Sequence, residues 1–118
     1  MNVPVVMGEW GGLCPKKTDW FSHIDFVYSL IEQNQWSSIY WNYYFENDEF
    51  VRLMNRPYPI AVCGDIISYR TDSEGRKFFM EYNVSDDYVL AETQIYVPNK
   101  GVQKFKSNYG INKIEISY

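Results

Sequence analysis

The chain opens on Val3-Pro4-Val5-Val6-Met7, apolar at every position, and the run stops abruptly at Gly8 and Glu9. A run apolar on both faces predicts a buried strand of a parallel sheet. Gly11, Gly12 and Pro15 then mark a loop. Trp20, Ile24, Val27 and Ile31 recur at helical spacing, with Phe21, Tyr28 and Leu30 widening the apolar face. They predict a helix running to about Gln33. Thr18 or Asp19 would cap its start, and Asn34 would end it, because Asn tolerates the left-handed conformation. Trp36 to Phe45, rich in Ile, Tyr, Trp and Phe, predicts a second buried strand. Strand, helix and strand form one βαβ unit, which implies parallel pairing.

The pattern changes after Asp48. Phe50, Leu53 and Met54 predict a short helix, which Arg56-Pro57-Tyr58-Pro59 ends and continues as an extended connector. Ile66–Thr71 and Lys77–Val84 flank Asp72-Ser73-Glu74-Gly75 and predict a hairpin. Thr93–Val97, Gln103–Ser107 and Lys113–Tyr118 complete about five short strands, a spacing that predicts an antiparallel sandwich. The chain thus divides into an α/β part, residues 1–56, and an all-β part, residues 57–118. It contains no internal repeat.

Composition excludes several functions. The 118 residues carry 11 basic and 15 acidic side chains, a net charge of −4. Phosphate binding needs clustered Lys and Arg, and Lys100, Lys104 and Lys106 read instead as a solvated face, so no nucleic-acid partner is expected. Cys14 and Cys63 are the two cysteines and His23 the single histidine. They cannot complete a four-ligand zinc site, so no metal is expected, and whether the cysteines pair is not readable. The first seven residues lack the basic start and apolar core of a secretion signal. Aromatic residues reach 19% and crowd together at Trp36, Tyr40, Trp41, Tyr43, Tyr44 and Phe45. Aromatic faces suit sugar or lipid ligands, and they equally fill a β-rich core.

Glu9 is the sharpest chemical candidate. It stands where a buried parallel strand ends, before Trp10 and two glycines. In α/β barrels that end carries the active site, and a carboxylate there can attack an anomeric carbon. A solvent-facing acid in an ordinary turn has the same local pattern. Asp19 and Asp25 read as helix-surface acids, and nothing arranges Ser, His and Asp types as a triad.

Three segments carry a family resemblance. Pro4-Val5-Val6-Met7-Gly8-Glu9-Trp10-Gly11 resembles the seventh-strand motif of family 5 glycoside hydrolases, in which Gly-Glu-aromatic-Gly bears the nucleophile. Ser38-Ile39-Tyr40-Trp41-Asn42-Tyr43-Tyr44 resembles the eighth strand, where a Trp lines the subsite of the scissile sugar. Arg56-Pro57-Tyr58-Pro59-Ile60-Ala61-Val62-Cys63-Gly64 resembles the connector of the endoglycoceramidase group, which leads into a C-terminal β-sandwich.

The resemblance implies the last two strands of a (β/α)8 TIM barrel followed by a small antiparallel β-sandwich. It implies a retaining O-glycosidase with Glu9 as nucleophile and with Trp41, Trp10 and Tyr43 at the substrate. A glycosphingolipid is the implied substrate, with β-glucan as runner-up. No cofactor is implied. Peripheral contact with membrane lipid and an extracellular or lysosomal parent protein are further expectations, any signal lying outside this chain. The family's general acid sits in an Asn-Glu motif on the fourth strand. Here Glu46-Asn47 is in reverse order and follows the second strand, so the acid is expected to lie outside the chain. A non-catalytic remnant that binds carbohydrate or lipid is the competing expectation.

Overall fold

The structure is a computed structural model and describes residues 3–11, 18–42 and 46–118. The chain forms two compact units, Met1–Asn55 and Arg56–Tyr118. Cys14 and the loop residues Gly12 and Pro15 lie outside the described residues, as do the capping side chains of Thr18 and Asp19.

In the first unit, β1 (Val6–Trp10) pairs in parallel with β2 (Ser37–Tyr40), with α1 (Thr18–Asn34) between them in sequence and α2 (Asp48–Met54) following. Trp20 and Ile24 of α1 pack with Phe50 and Leu53 of α2 in one buried cluster, against which Trp10, Tyr28 and Tyr40 lie. Trp20 stacks on Phe50 with ring centroids 5.2 Å apart. The Asn47 side chain caps α2 by accepting from the Phe50 amide at 2.8 Å, which satisfies one of the amides that a helix start leaves unpaired. At the end of α1 the left-handed residue is Gln35, with φ 55°, one position later than the sequence predicts. Asn34 stays helical and its side-chain amide donates to the Leu30 carbonyl at 2.8 Å, so its side chain holds the last turn together.

Two features fix how β1 meets β2. The register runs Val6↔Ser37 and Met7↔Ser38, then Glu9↔Ile39 and Trp10↔Tyr40, leaving Gly8 as an extra residue in β1. Beyond the strands, the Trp41 amide donates to the Trp10 carbonyl at 2.8 Å. That closure brings the Trp41 carbonyl oxygen against the place where a Cβ on Gly11 would stand. Any side chain at position 11 would overlap backbone.

The second unit holds two three-stranded antiparallel sheets. One has the order β3 (Tyr58–Ala61), β6 (Glu92–Val97), β7 (Gly101–Lys106). The other has β4 (Asp65–Asp72), β5 (Lys77–Val84), β8 (Gly110–Ser117). Strict alternation along β5 turns Phe78, Met80, Tyr82 and Val84 inward. They meet Ile114 and Ile116 of β8 and Ile95 and Val97 of β6 in one core shared by both sheets, which is the sandwich architecture. The connector expected at Arg56–Pro59 is partly a strand. Pro59 pairs opposite Ile95, which is tolerated because β3 lies at the sheet edge and needs amides on one side only. At the β4–β5 hairpin Gly75 donates its amide to the Asp72 carboxylate at 2.8 Å, while Arg76 takes the positive φ of 52°.

The sandwich core contains one polar thread. The Cys63 amide donates to Thr93 Oγ1 at 3.1 Å, Thr93 Oγ1 lies 3.2 Å from Ser107 Oγ, and Ser107 Oγ lies 3.0 Å from the Tyr82 hydroxyl. Thr93, Ser107, Tyr82 and Cys63 are all buried. Their polar atoms satisfy one another across the two sheets, and losing one member strands its neighbours without water. Thr93→Val keeps the shape and removes the central oxygen. It should lower the unfolding free energy of the chain by about 1–3 kcal/mol in urea titration, and an unchanged midpoint would remove the thread as a stabilising element. In the first unit, Gly11→Ala should cost about 1–3 kcal/mol through overlap with the Trp41 carbonyl. Gly8→Ala, with no atom within 4 Å of its Cβ site, should stay within about 0.5 kcal/mol of the parent. Equal effects at the two glycines would refute the close approach.

Candidate functional site at the end of β1

The extra residue in β1 determines where Glu9 points. Continuing the Met7↔Ser38 register would pair Gly8 with Ile39 and Glu9 with Tyr40, on the side where Tyr40 packs against the helices. A one-residue offset inverts the faces of a strand. With Gly8 bulged, Glu9 instead pairs with Ile39. Both side chains are exposed, Ile39 at 53%. Trp10 and Tyr40 then share the helix side, where their rings meet edge-on at 4.8 Å and Trp10 meets Tyr28 at 5.3 Å. Glu9 therefore occupies the C-terminal end of a parallel strand, on the face that the helices leave open.

Trp41 follows directly. Its backbone is tied to Trp10 and its side chain is 66% exposed, so an indole face is available next to the Glu9 end of the strand pair. The peptide bond joining Trp41 to Asn42 is cis. Trp10 is half-buried between Tyr28 and Tyr40, and its indole Nε1 is buried with no hydrogen-bond partner among the described residues. Tyr43, the remaining residue expected at the substrate, lies outside the described residues. His23 is exposed on α1. Among the described residues no group of three His, Cys, Asp or Glu could hold a metal ion, and no helix is long and apolar enough to cross a membrane. Cys63 is a buried free thiol.

A second surface escapes the sequence pattern. Between β5 and β6 the alternation stops, and Val89 stands 88% exposed with Leu90 beside it at 44%. An aliphatic pair inside a loop, preceded by Asp86 and Asp87, is the signal that sequence reading offers for it. Across the edge of the other sheet, Tyr58 and Tyr96 stack at 5.1 Å with Tyr58 exposed.

Solved structures resemble the whole of this fold. Endo-glycoceramidase II from Rhodococcus sp. superposes on 98% of the chain with a TM-score of 0.78 at 19% identity, over 33% of its own length. Its lactosyl-enzyme intermediate matches equally well. Sterylglucosidase 1 from Cryptococcus neoformans, crystallised with tris, covers 97% of the chain with a TM-score of 0.77 at 14% identity, over 28% of its own length. The chain thus spans about a third of these enzymes. No curated protein matches it. Residues 56–116, just over half of the chain, match the glycoside hydrolase family 5 C-terminal domain, and on that match the chain belongs to glycoside hydrolase family 5.

Proposed function

We propose that the chain is the nucleophile-bearing C-terminal part of a retaining glycosidase that cleaves the bond between an oligosaccharide and ceramide. In this reading β1 and β2 are the seventh and eighth strands of a (β/α)8 barrel and residues 57–118 are its appended sandwich. The observation that carries it is the Gly8 bulge, which turns Glu9 away from the helices at the C-terminal end of a parallel strand, beside exposed Trp41. Active carboxylates of such barrels stand at that end of the strands. The two relatives, named for a glycosylated ceramide and a glucosylated sterol, support a lipid-linked glycoside as the substrate class.

The chemistry follows from the position. The Glu9 carboxylate attacks the anomeric carbon as the bond from that carbon to the ceramide oxygen breaks. A second carboxylic acid, about 5–5.5 Å away, gives its proton to the departing oxygen. The same group then takes a proton from water, which attacks the anomeric carbon and releases Glu9. That partner comes from a segment outside this chain. Trp41 offers an indole face to the apolar side of the scissile sugar. Trp10 acts from behind, its ring fixing the backbone on which Glu9 stands.

Two outcomes test this. The 118-residue chain alone should give no turnover of a fluorogenic lactoside, for want of the acid. Joined to an upstream segment supplying six βα units and an Asn-Glu strand, it should turn over. Glu9→Ala should then cut kcat at least about a thousandfold, and azide should restore a glycosyl azide of inverted configuration. Turnover by the isolated chain, or a joined enzyme indifferent to Glu9, would overturn the assignment. The competing reading is a non-catalytic carbohydrate-binding module, favoured by the exposed Tyr58–Tyr96 stack. It requires glycan binding that survives Glu9→Gln and disappears in Tyr58→Ala.

A further inference from the structure

The loop between β5 and β6 departs from the rest of the sandwich surface. Elsewhere the outer face of the β4-β5-β8 sheet is laced with opposite charges, Lys77 on Glu115 at 2.9 Å and Lys113 on Glu81 at 3.3 Å. At residues 85–91 two unpaired aliphatic side chains, Val89 and Leu90, stand outward beside Asp86 and Asp87. Val89 is the most exposed large hydrophobic residue among those described, at 88%, and Leu90 follows it. Such side chains face water at a cost that burial in an apolar medium would remove.

The loop is held still. The Cys63 thiol donates to the Val89 carbonyl at 3.6 Å and accepts from the Ala91 amide at 3.2 Å. The Tyr88 hydroxyl donates to Asp65 at 2.9 Å, and the Tyr109 hydroxyl donates to the Tyr88 carbonyl at 3.3 Å. The backbone on both sides of Val89 is thus anchored to neighbouring segments, while the Val89 side chain touches little. Two partly exposed tyrosines flank an aliphatic tip. That is the order in which side chains meet a lipid surface: aliphatic groups in the acyl region, amphipathic rings at the headgroups.

Charge narrows the occupant. The three segments that meet here, residues 62–65, 85–91 and 107–111, carry Asp65, Asp86 and Asp87 and no Lys, Arg or His. An anionic surface would be repelled, and the polybasic attraction used to hold such membranes is missing. An uncharged or zwitterionic headgroup layer accepts the tip without that penalty. A projecting tip also differs from the concave groove that a partner helix or peptide requires. By topology this end of the sandwich carries the C-terminal end of β3, so it lies opposite the end at which the chain enters the unit.

We infer that the Tyr88-Val89-Leu90 tip, flanked by Tyr109, is a lipid-docking loop that inserts into uncharged or zwitterionic membrane surfaces. The inference deepens the proposed hydrolase, whose lipid-linked substrate would be met at such a surface. It can nevertheless be read without any turnover.

The test is sedimentation of the full chain with phosphatidylcholine vesicles free of glycolipid, so that the result is independent of Glu9 and of hydrolysis. The parent chain should partition onto these vesicles, with little change between low and high salt. Val89→Asp with Leu90→Asp should lower the partition coefficient at least about tenfold, since burial of each side chain is worth roughly that factor or more. Val89→Ser, at a position with almost no packing to lose, should lower it several-fold and melt as the parent does. Ile60→Asp, at an exposed site on the edge strand of the other sheet, should leave it unchanged. Four results would each overturn the inference: no sedimentation with phosphatidylcholine, binding that requires phosphatidylserine, equal loss in Ile60→Asp, or a concentration-dependent dimer that Val89→Ser abolishes in place of vesicle binding.

Discussion

One extra residue in a five-residue strand decides which side chains of the first unit face the helices and which face away. Strand side chains alternate with a period of two, so the face on which Glu9 appears is a matter of parity. The bulge at Gly8 sets that parity by letting two residues of β1 span one of β2. It sends the carboxylate to the open face and sends the next ring, Trp10, into the cluster with Tyr28 and Tyr40. The rest of the unit follows from this choice. Trp10 closes the helix side and its carbonyl receives the Trp41 amide. That closure leaves room at position 11 for glycine alone. The Gly-Glu-Trp-Gly segment is therefore a set of coupled constraints: an extra residue at the bulge, an acid outward, a ring inward, and a glycine under a carbonyl.

The sandwich is governed by a different constraint. Its core is apolar on both sheets, and apolar packing alone specifies register weakly when β-branched and aromatic residues can exchange neighbours. The thread from the Cys63 amide through Thr93 and Ser107 to Tyr82 is directional. Each member has its partner only when β5, β6 and the segments beside them hold one alignment. The same Cys63 also holds the loop bearing Val89 through its sulfur. One residue thus links the polar thread inside the sandwich to the conformation of the loop that bears Val89.

Much of this was legible in the sequence, and the reasons for the remainder are specific. The helix over Trp20 to Ile31 and the β4–β5 hairpin announced themselves through periodicity, because each buries one regular face, whereas the parallel pair, read from unbroken apolar runs as buried strands, is exposed or half-buried at every position because the described residues hold just these two strands of the sheet. Edge strand β3 did not announce itself, because Tyr58-Pro59-Ile60-Ala61 contains a proline and alternates poorly, and only its edge position makes proline harmless there. The end of α1 was misplaced by one residue, since Asn34 tolerates the left-handed region better than Gln35 in isolation, yet its side chain proved more useful on the Leu30 carbonyl. The candidate site was legible as a motif and silent as geometry. Glu9 could be singled out by type and place, but no pattern in residues 3–11 reveals that Gly8 bulges, and without the bulge the same acid would face the helices.

The loop at Val89 is the converse case, where silence in the sequence reflects the physics of exposure. Periodicity detects a hydrophobic residue by the regular face it shares with others. Val89 and Leu90 share no such face, so pattern reading passes over them as loop. Their exposure becomes informative only beside the hydrogen bonds that fix the loop, because a free loop would fold its aliphatic groups against the nearest apolar surface. Here Cys63, Asp65 and Tyr109 hold the backbone in place, and the free energy of hiding Val89 and Leu90 remains available to an external apolar phase. Constraint at both places forbids a local escape. The bulge keeps Glu9 from burying its charge against the helices, and the pinned loop keeps Val89 from burying its methyl groups against the sandwich.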